Sequence, residues 1–144
     1  MRLSILVLIF LLVGCSTRHP VEEAKAVLKS HEQFSKAGDL DGIMSNIAED
    51  VVCFFPGTPI IKGKEACRNF YAAVLKASKS EFIHEYDGAE IVGDAVILHG
   101  TARGTTTMPD SSVTHFVSNF LTVLRYQPDG KLKLWRGTSV PSAQ

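Results

Sequence analysis

Apolar positions recur along this chain with two different periods, and the switch between them divides it in half. From Pro20 to about Ala37, the residues Ala24, Val27, Leu28, His31, Phe34 and Ser35 fall at i, i+3, i+4 and i+7 spacings, the signature of one helix face. Pro20 with Glu22 and Glu23 suits a first turn, and Gly38 is a stop signal. Asp39 can cap a second short helix with Leu40, Ile43, Met44 and Ile47 on one side. Asp50 to Phe55 reads as a strand, broken by Pro56-Gly57-Thr58-Pro59. After Gly63 a third helix presents Ala66, Cys67, Phe70, Tyr71 and Val74 on one side and ends near Lys76.

Beyond Lys76 the period becomes 2, the alternation of a strand with two faces. Glu81 to Ile91, Ala95 to Thr107, Val113 to Tyr126 and Leu132 to Val140 are predicted strands, joined by turns at Val92-Gly93-Asp94, Met108-Pro109-Asp110-Ser111 and Gln127-Pro128-Asp129-Gly130. Gly100 and Gly104 inside the second of these strands mark a bend or bulge. Three helices and an early strand followed by long antiparallel hairpins predict an α+β domain, with the helices packed on the concave face of a curved, cone-shaped sheet. Such a cone leaves a mouth that can hold a ligand.

The first residues follow neither period. Met1-Arg2 precedes an apolar run from Leu3 to Val13 and then Gly14-Cys15. The run is shorter than the roughly 20 residues a spanning helix needs, and reads as a secretory signal. Leu12-Val13-Gly14-Cys15 resembles the bacterial lipobox, which implies cleavage before a lipidated Cys15. Residues 1–14 are then the signal, 15–19 a lipidated tether and 20–140 one domain. Ser16 after the cysteine resembles lipoproteins sorted to the outer membrane, facing the periplasm. The alternative is a plain signal peptide with an incidental cysteine.

Charge narrows the partners. With 15 Lys+Arg against 15 Asp+Glu over 144 residues, the chain has no basic field for nucleic acid. No His-x-x-x-His, paired-cysteine or acidic cluster offers metal-ligand spacing, so neither metal nor cofactor is expected. Ser111-Ser112 has no nucleophile-elbow glycines around it. Once Cys15 is assigned to lipid, Cys53 and Cys67 remain, and both are expected to point into the layer between helix and sheet. In an oxidising envelope they permit one disulfide, and the alternative is a pair of buried free thiols.

Ala37-Gly38-Asp39-Leu40-Asp41-Gly42-Ile43, Ala48-Glu49-Asp50 and Pro59-Ile60-Ile61-Lys62-Gly63-Lys64-Glu65-Ala66, continuing to Phe70-Tyr71, resemble in order and spacing the nuclear transport factor 2-like superfamily. Within it the chain looks most like the SnoaL-like and ketosteroid isomerase-related group. The resemblance implies a conical α+β fold, frequent homodimers and a pocket used by isomerases, dehydratases, cyclases and non-catalytic binders. Ketosteroid isomerases use a carboxylate base with an oxyanion hole of a phenol and a protonated acid. At the corresponding positions this chain has Phe55 for the base, Thr122 for the acid and His31 for the phenol. Neither Phe55 nor Thr122 takes a proton near neutral pH, so steroid-type enolisation is not expected.

Strand parity places Phe116, Ser118, Phe120, Thr122 and Leu124 on one face, and the resemblance places Trp135 and Gly137 inward. Tyr71 matches a tyrosine that resembles the partner of the oxyanion phenol. The expected lining is therefore His31, Phe55, Tyr71, Phe120, Thr122 and Trp135. His31 reads either as an acid/base or ligand-binding group or as a core histidine satisfied by Tyr71 or by backbone. His99 and His115 have the opposite parity and are assigned to the surface or a dimer face, and His84 has no partner evident in the sequence. The expectation is a lipid-anchored envelope protein whose pocket binds a small, largely apolar molecule without turnover. The alternatives are an acid/base isomerase or dehydratase built on His31 with Tyr71, and a dimeric accessory protein acting through its exposed sheet face.

Overall fold

The computed structural model describes residues 18–142; the expected signal, Cys15 and the first part of the expected tether lie outside them. The elements in chain order are α1 (Pro20–Ala37), α2 (Leu40–Ser45), β1 (Ile47–Phe54), β2 (Ile61–Lys62), α3 (Lys64–Ala77), β3 (Lys79–Val92), β4 (Ala95–Thr107), β5 (Val113–Tyr126) and β6 (Leu132–Pro141). The strands form one open sheet in the order β2-β1-β6-β5-β4-β3. All neighbours are antiparallel except β1 and β6, which run parallel.

Local chemistry explains the helix ends. Pro20 opens α1, and Gly38 closes it at φ 70°, a conformation that costs other residues a Cβ clash. The Asp39 side chain then accepts from the Gly42 N–H at 2.9 Å and caps α2. Two apolar clusters hold the layers together. Ala24 and Leu28 of α1 pack on Val96, Leu98, Leu124 and Leu132 of the sheet. Ile43, Met44, Ile47, Val51, Cys53, Ile61, Cys67 and Leu134 join α2 and α3 to β1, β2 and β6.

The sheet curves where its ladders are irregular. The β3–β4 register shifts between Tyr86 and Gly88, and Gly100 sits opposite the shift. A Cβ built there would lie 2.0 Å from the Glu85 carbonyl oxygen, so only glycine allows β3 and β4 to approach at this bend.

Three details depart from the pattern reading. Ile47 belongs to β1 and not to the second helix, because it pairs with Leu134 of β6. β2 is too short to show a period, and Ala66 of α3 is exposed although it shares the expected stripe. Cys53 and Cys67 are both buried and unbridged. The hydrogen bond with Cys53, followed by burial, pushes the Cys67 thiol well above the usual range.

Candidate functional site

A cavity of about 540 Å³ lies between the helices and the concave side of the sheet. Its inner wall comes from Leu28, His31 and Ser35 on one stripe of α1. Phe70, Tyr71, Val74 and Leu75 of α3 form another wall, and Phe116, Ser118, Phe120 and Thr122 of β5 form the floor. Phe55, Pro56 and Thr58 at the end of β1, with Ser78, Ser80, Thr106 and Pro141, stand at the open end.

His31, Phe55, Tyr71, Phe120 and Thr122 thus all line this one cavity. Trp135 does not, contrary to the inward placement expected of it. Leu124 pairs with Leu134 while Val123 pairs with Arg136, so Trp135 is the extra residue of a bulge. The bulge brings Leu134 and Gly137 to the cavity and turns Trp135 away from it. There the indole lies between two guanidinium groups, with Arg125 and Arg136 at 4.1 and 3.9 Å from the ring centroid. Its Nε1–H donates to Asp50 at 2.9 Å.

The polar groups of the cavity fall into two sets. In the first, His31 Nε2 and the Tyr71 hydroxyl are 3.3 Å apart, and His31 Nδ1 is buried with no partner among the described residues. Burial, reinforced by nearby His84 and opposed by Glu32, lowers the His31 pKa to about 4. Burial also raises the Tyr71 phenol far above its ordinary value, with Cys67 and Cys53 adding to it. Both groups are therefore neutral near pH 7, suited to hydrogen bonding and not to carrying charge.

The second set joins His84 of β3 to Glu32 of α1, and sequence reasoning missed it. Glu32 Oε1 accepts from His84 Nδ1 at 2.9 Å and from the His84 backbone N–H at 2.9 Å, while Oε2 accepts from Lys29 Nζ at 3.0 Å. Both partners are nearly enclosed, with side-chain exposures of 9% and 7%. Burial opposes ionisation of Glu32, but the hydrogen bonds from Lys29 and His84 outweigh it and hold the carboxyl below its usual range. Burial likewise lowers the His84 pKa, although Glu32 pulls the other way. The imidazole is thus neutral, with its proton on Nδ1 facing the carboxylate and the Nε2 lone pair left for the cavity. The Phe120 ring meets the His84 ring edge-on at 4.7 Å between centroids and fixes its plane.

Two signals could have exposed the pair. Glu32 is four residues after Leu28 and three before Ser35, which puts an acid on the apolar stripe of α1. His84 alternates with Phe82 and Tyr86 along β3, the inward parity opposite to Ile83 and Glu85.

A cone of helices over an open, curved sheet, enclosing an apolar cavity with a few neutral polar groups, defines an α+β domain built around an internal cavity. More particularly, the chain belongs to the SnoaL-like domain family, whose profile matches residues 27–135. Among solved structures it is similar to a ketosteroid isomerase-like protein from Erwinia carotovora atroseptica, at 18% identity and TM-score 0.79 over 88% of this chain and 99% of that one. A conserved protein from Planctomyces limnophilus matches at 18% identity and TM-score 0.78, covering 87% and 98% of the two chains. A nuclear transport factor 2-like superfamily protein from Salmonella enterica serovar Typhimurium matches at 13% identity and TM-score 0.75, covering 85% and 91%. These likenesses establish the fold. No curated protein sequence matches this chain. Among the described residues there is no cluster of His, Cys, Asp and Glu that could hold a metal ion, and no helix is long and apolar enough to cross a membrane.

Proposed function

We infer that this domain binds a small, largely apolar molecule in its cavity and abstracts a proton from it, with His84 as the general base and Glu32 as the group that orients and supports it. The observation that carries this reading is the enclosed 2.9 Å contact between His84 Nδ1 and Glu32 Oε1 in the wall of an apolar cavity. A carboxylate behind an imidazole fixes the tautomer and stabilises the imidazolium that forms when Nε2 takes a proton. Across the site, the Tyr71 hydroxyl supplies a neutral donor for a substrate oxygen. The chemistry that fits is removal of a proton beside a carbonyl, leading to isomerisation or elimination. The role that sequence reasoning offered to His31 with Tyr71 thereby becomes one of binding, and the base moves to β3.

Binding without turnover is the second reading. It is favoured by Phe55, which stacks on Phe70 at 5.1 Å where the ketosteroid isomerases to which the chain is similar carry a base. The proposed setting is a bacterial envelope, with the chain held by lipid on Cys15 at the outer membrane and facing the periplasm. Pairing of two copies through the outer face of the sheet is part of the same proposal.

A thermal-shift screen of small apolar carbonyl compounds finds ligands, and each hit is then followed for exchange of its acidic C–H in deuterium oxide. Exchange that falls by at least ~10²-fold in the His84→Gln variant, with binding retained, is the expected result. Exchange unaffected by H84Q refutes the base assignment, and hits that bind without any exchange support the second reading.

A further inference from the structure

The cavity mouth and the N-terminus lie at opposite ends of the domain. The start of β3, the end of β4, the start of β5 and the end of β6 meet at the mouth, as the pairs Lys79 with Thr107, Thr107 with Val113 and Ser118 with Pro141 show. The other ends of these strands, with the Ala24, Leu28, Val96 and Leu132 cluster, close the cone. The first turn of α1 is fastened to this closed end, where the Tyr126 hydroxyl donates to Glu23 at 2.6 Å and the Arg18 guanidinium lies 4.9 Å from the Tyr126 ring centroid. The Tyr126 backbone N–H in turn donates to the Asp94 carbonyl at 3.0 Å, which sets the β3–β4 turn beside the same corner.

The end of β3 beside that turn carries Ile91 and Val92, which are 56% and 58% exposed among the described residues. Two residues separate Arg18 from Cys15, a reach of about 10 Å, whereas β3 runs about 40 Å from Val92 to the mouth. Arg18, Lys25, Lys131 and Lys133 at this end stand with Glu22, Glu23, Glu90, Asp94 and Asp129, so its net charge is small.

From this arrangement we propose that the closed end of the cone, led by Ile91 and Val92, rests on the bilayer that holds the N-terminal segment, and that the cavity therefore opens away from the membrane. The proposal rests on membrane anchoring through the N-terminal segment. It deepens the functional reading by naming the source of the ligand, a molecule dissolved in the aqueous compartment and not one drawn from the bilayer. With charges nearly balanced, contact with the bilayer is insensitive to headgroup charge and to salt.

The test uses the full chain, produced with its own leader in a bacterial host and reconstituted into phosphatidylcholine vesicles containing nitroxide-labelled headgroups. A fluorophore is attached at Val92→Cys or, separately, at Asp110→Cys in the β4–β5 turn beside the mouth. Quenching at position 92 at least threefold stronger than at position 110, unchanged in 0.5 M salt (~4 Å Debye length), is the expected result. Equal quenching at both positions, or stronger quenching at 110, in protein that floats with the vesicles overturns the orientation while leaving anchoring intact. Protein that does not float with the vesicles overturns anchoring and orientation together, and leaves the cavity chemistry to its own exchange test.

Discussion

His31 gives the domain an acid-labile core, and the size of the effect follows from its burial. The folded protein keeps the imidazole neutral down to about pH 4, whereas the unfolded chain takes up the proton near pH 6.5. Below pH 6.5 the unfolded state therefore binds more protons, so the stability present above that pH is lost as the pH falls toward 4. Each pH unit within the window removes about 1.4 kcal/mol, and the whole window about 3 kcal/mol. His84 adds a contribution of the same sign, since its pKa is also lowered. Replacing His31 by Phe removes the first contribution alone. At pH 7.5 the substitution gives up the 3.3 Å contact with Tyr71, worth about 1 kcal/mol, and removes an unpartnered buried Nδ1 that costs about 1–3 kcal/mol, so the two effects nearly cancel. Urea unfolding followed by circular dichroism from pH 7.5 to 5 reads both quantities. The expected outcome is near-equal stability at pH 7.5 and, between pH 6 and 5, a wild-type loss steeper than that of His31→Phe by about 1.4 kcal/mol per pH unit. Parallel pH profiles for the two proteins would show that His31 is protonated in the folded state and would refute the argument.

Glu32→Gln removes the charge facing His84 while keeping the shape, and the His84 pKa, followed by its imidazole resonances, should fall further; a rise contradicts the pairing. The same variant should cost about 1–3 kcal/mol, because one amide oxygen replaces a carboxylate that accepts from three donors. Gly100→Ala should destabilise strongly or prevent folding, since its Cβ meets backbone at 2.0 Å, and a thermal midpoint within a degree of wild type would disprove the close approach. Cys53 and Cys67 should resist thiol reagents in native protein and both titrate after denaturation without reductant; two missing thiols would reveal a bridge.

The helices and hairpins were legible because each buries one face against a single layer, and Leu28, Phe70 and Phe120 carry that periodicity in their spacing. The lining residues His31, Tyr71 and Thr122 were legible for the same reason. Trp135, placed inward by the family resemblance, was not, because such a placement carries over only while the ladder is regular. One inserted residue opposite Val123 and Leu124 inverts every assignment on its far side, and nothing in Leu132-Lys133-Leu134-Trp135-Arg136 announces the insertion. The His84–Glu32 pair escaped for a different reason. Its members stand on elements far apart in sequence, and an acid in α1 next to Lys29 and Gln33 has the look of a solvated helix position until β3 is laid across it.

The position of that pair explains how a charge can stand beside this apolar cavity. An ionised carboxylate in apolar surroundings is tolerated only when hydrogen-bond donors replace its water. At Thr122 on the floor the neighbours are Phe120 and Leu124, and at Phe55 the neighbour is Phe70. These sites hold residues without charge. Glu32 stands where α1 crosses the start of β3, at the boundary between the cavity and a surface groove lined by Lys29, Gln33, Lys36 and Arg103. There a backbone N–H, an imidazole and a partly solvated ammonium group all reach it. The carboxylate is thus satisfied from outside the cavity, and His84 alone carries its influence inward as a neutral ring with a free lone pair. The proposed base, assembled this way, depends on the α1–β3 contact and leaves the rest of the lining free to stay apolar.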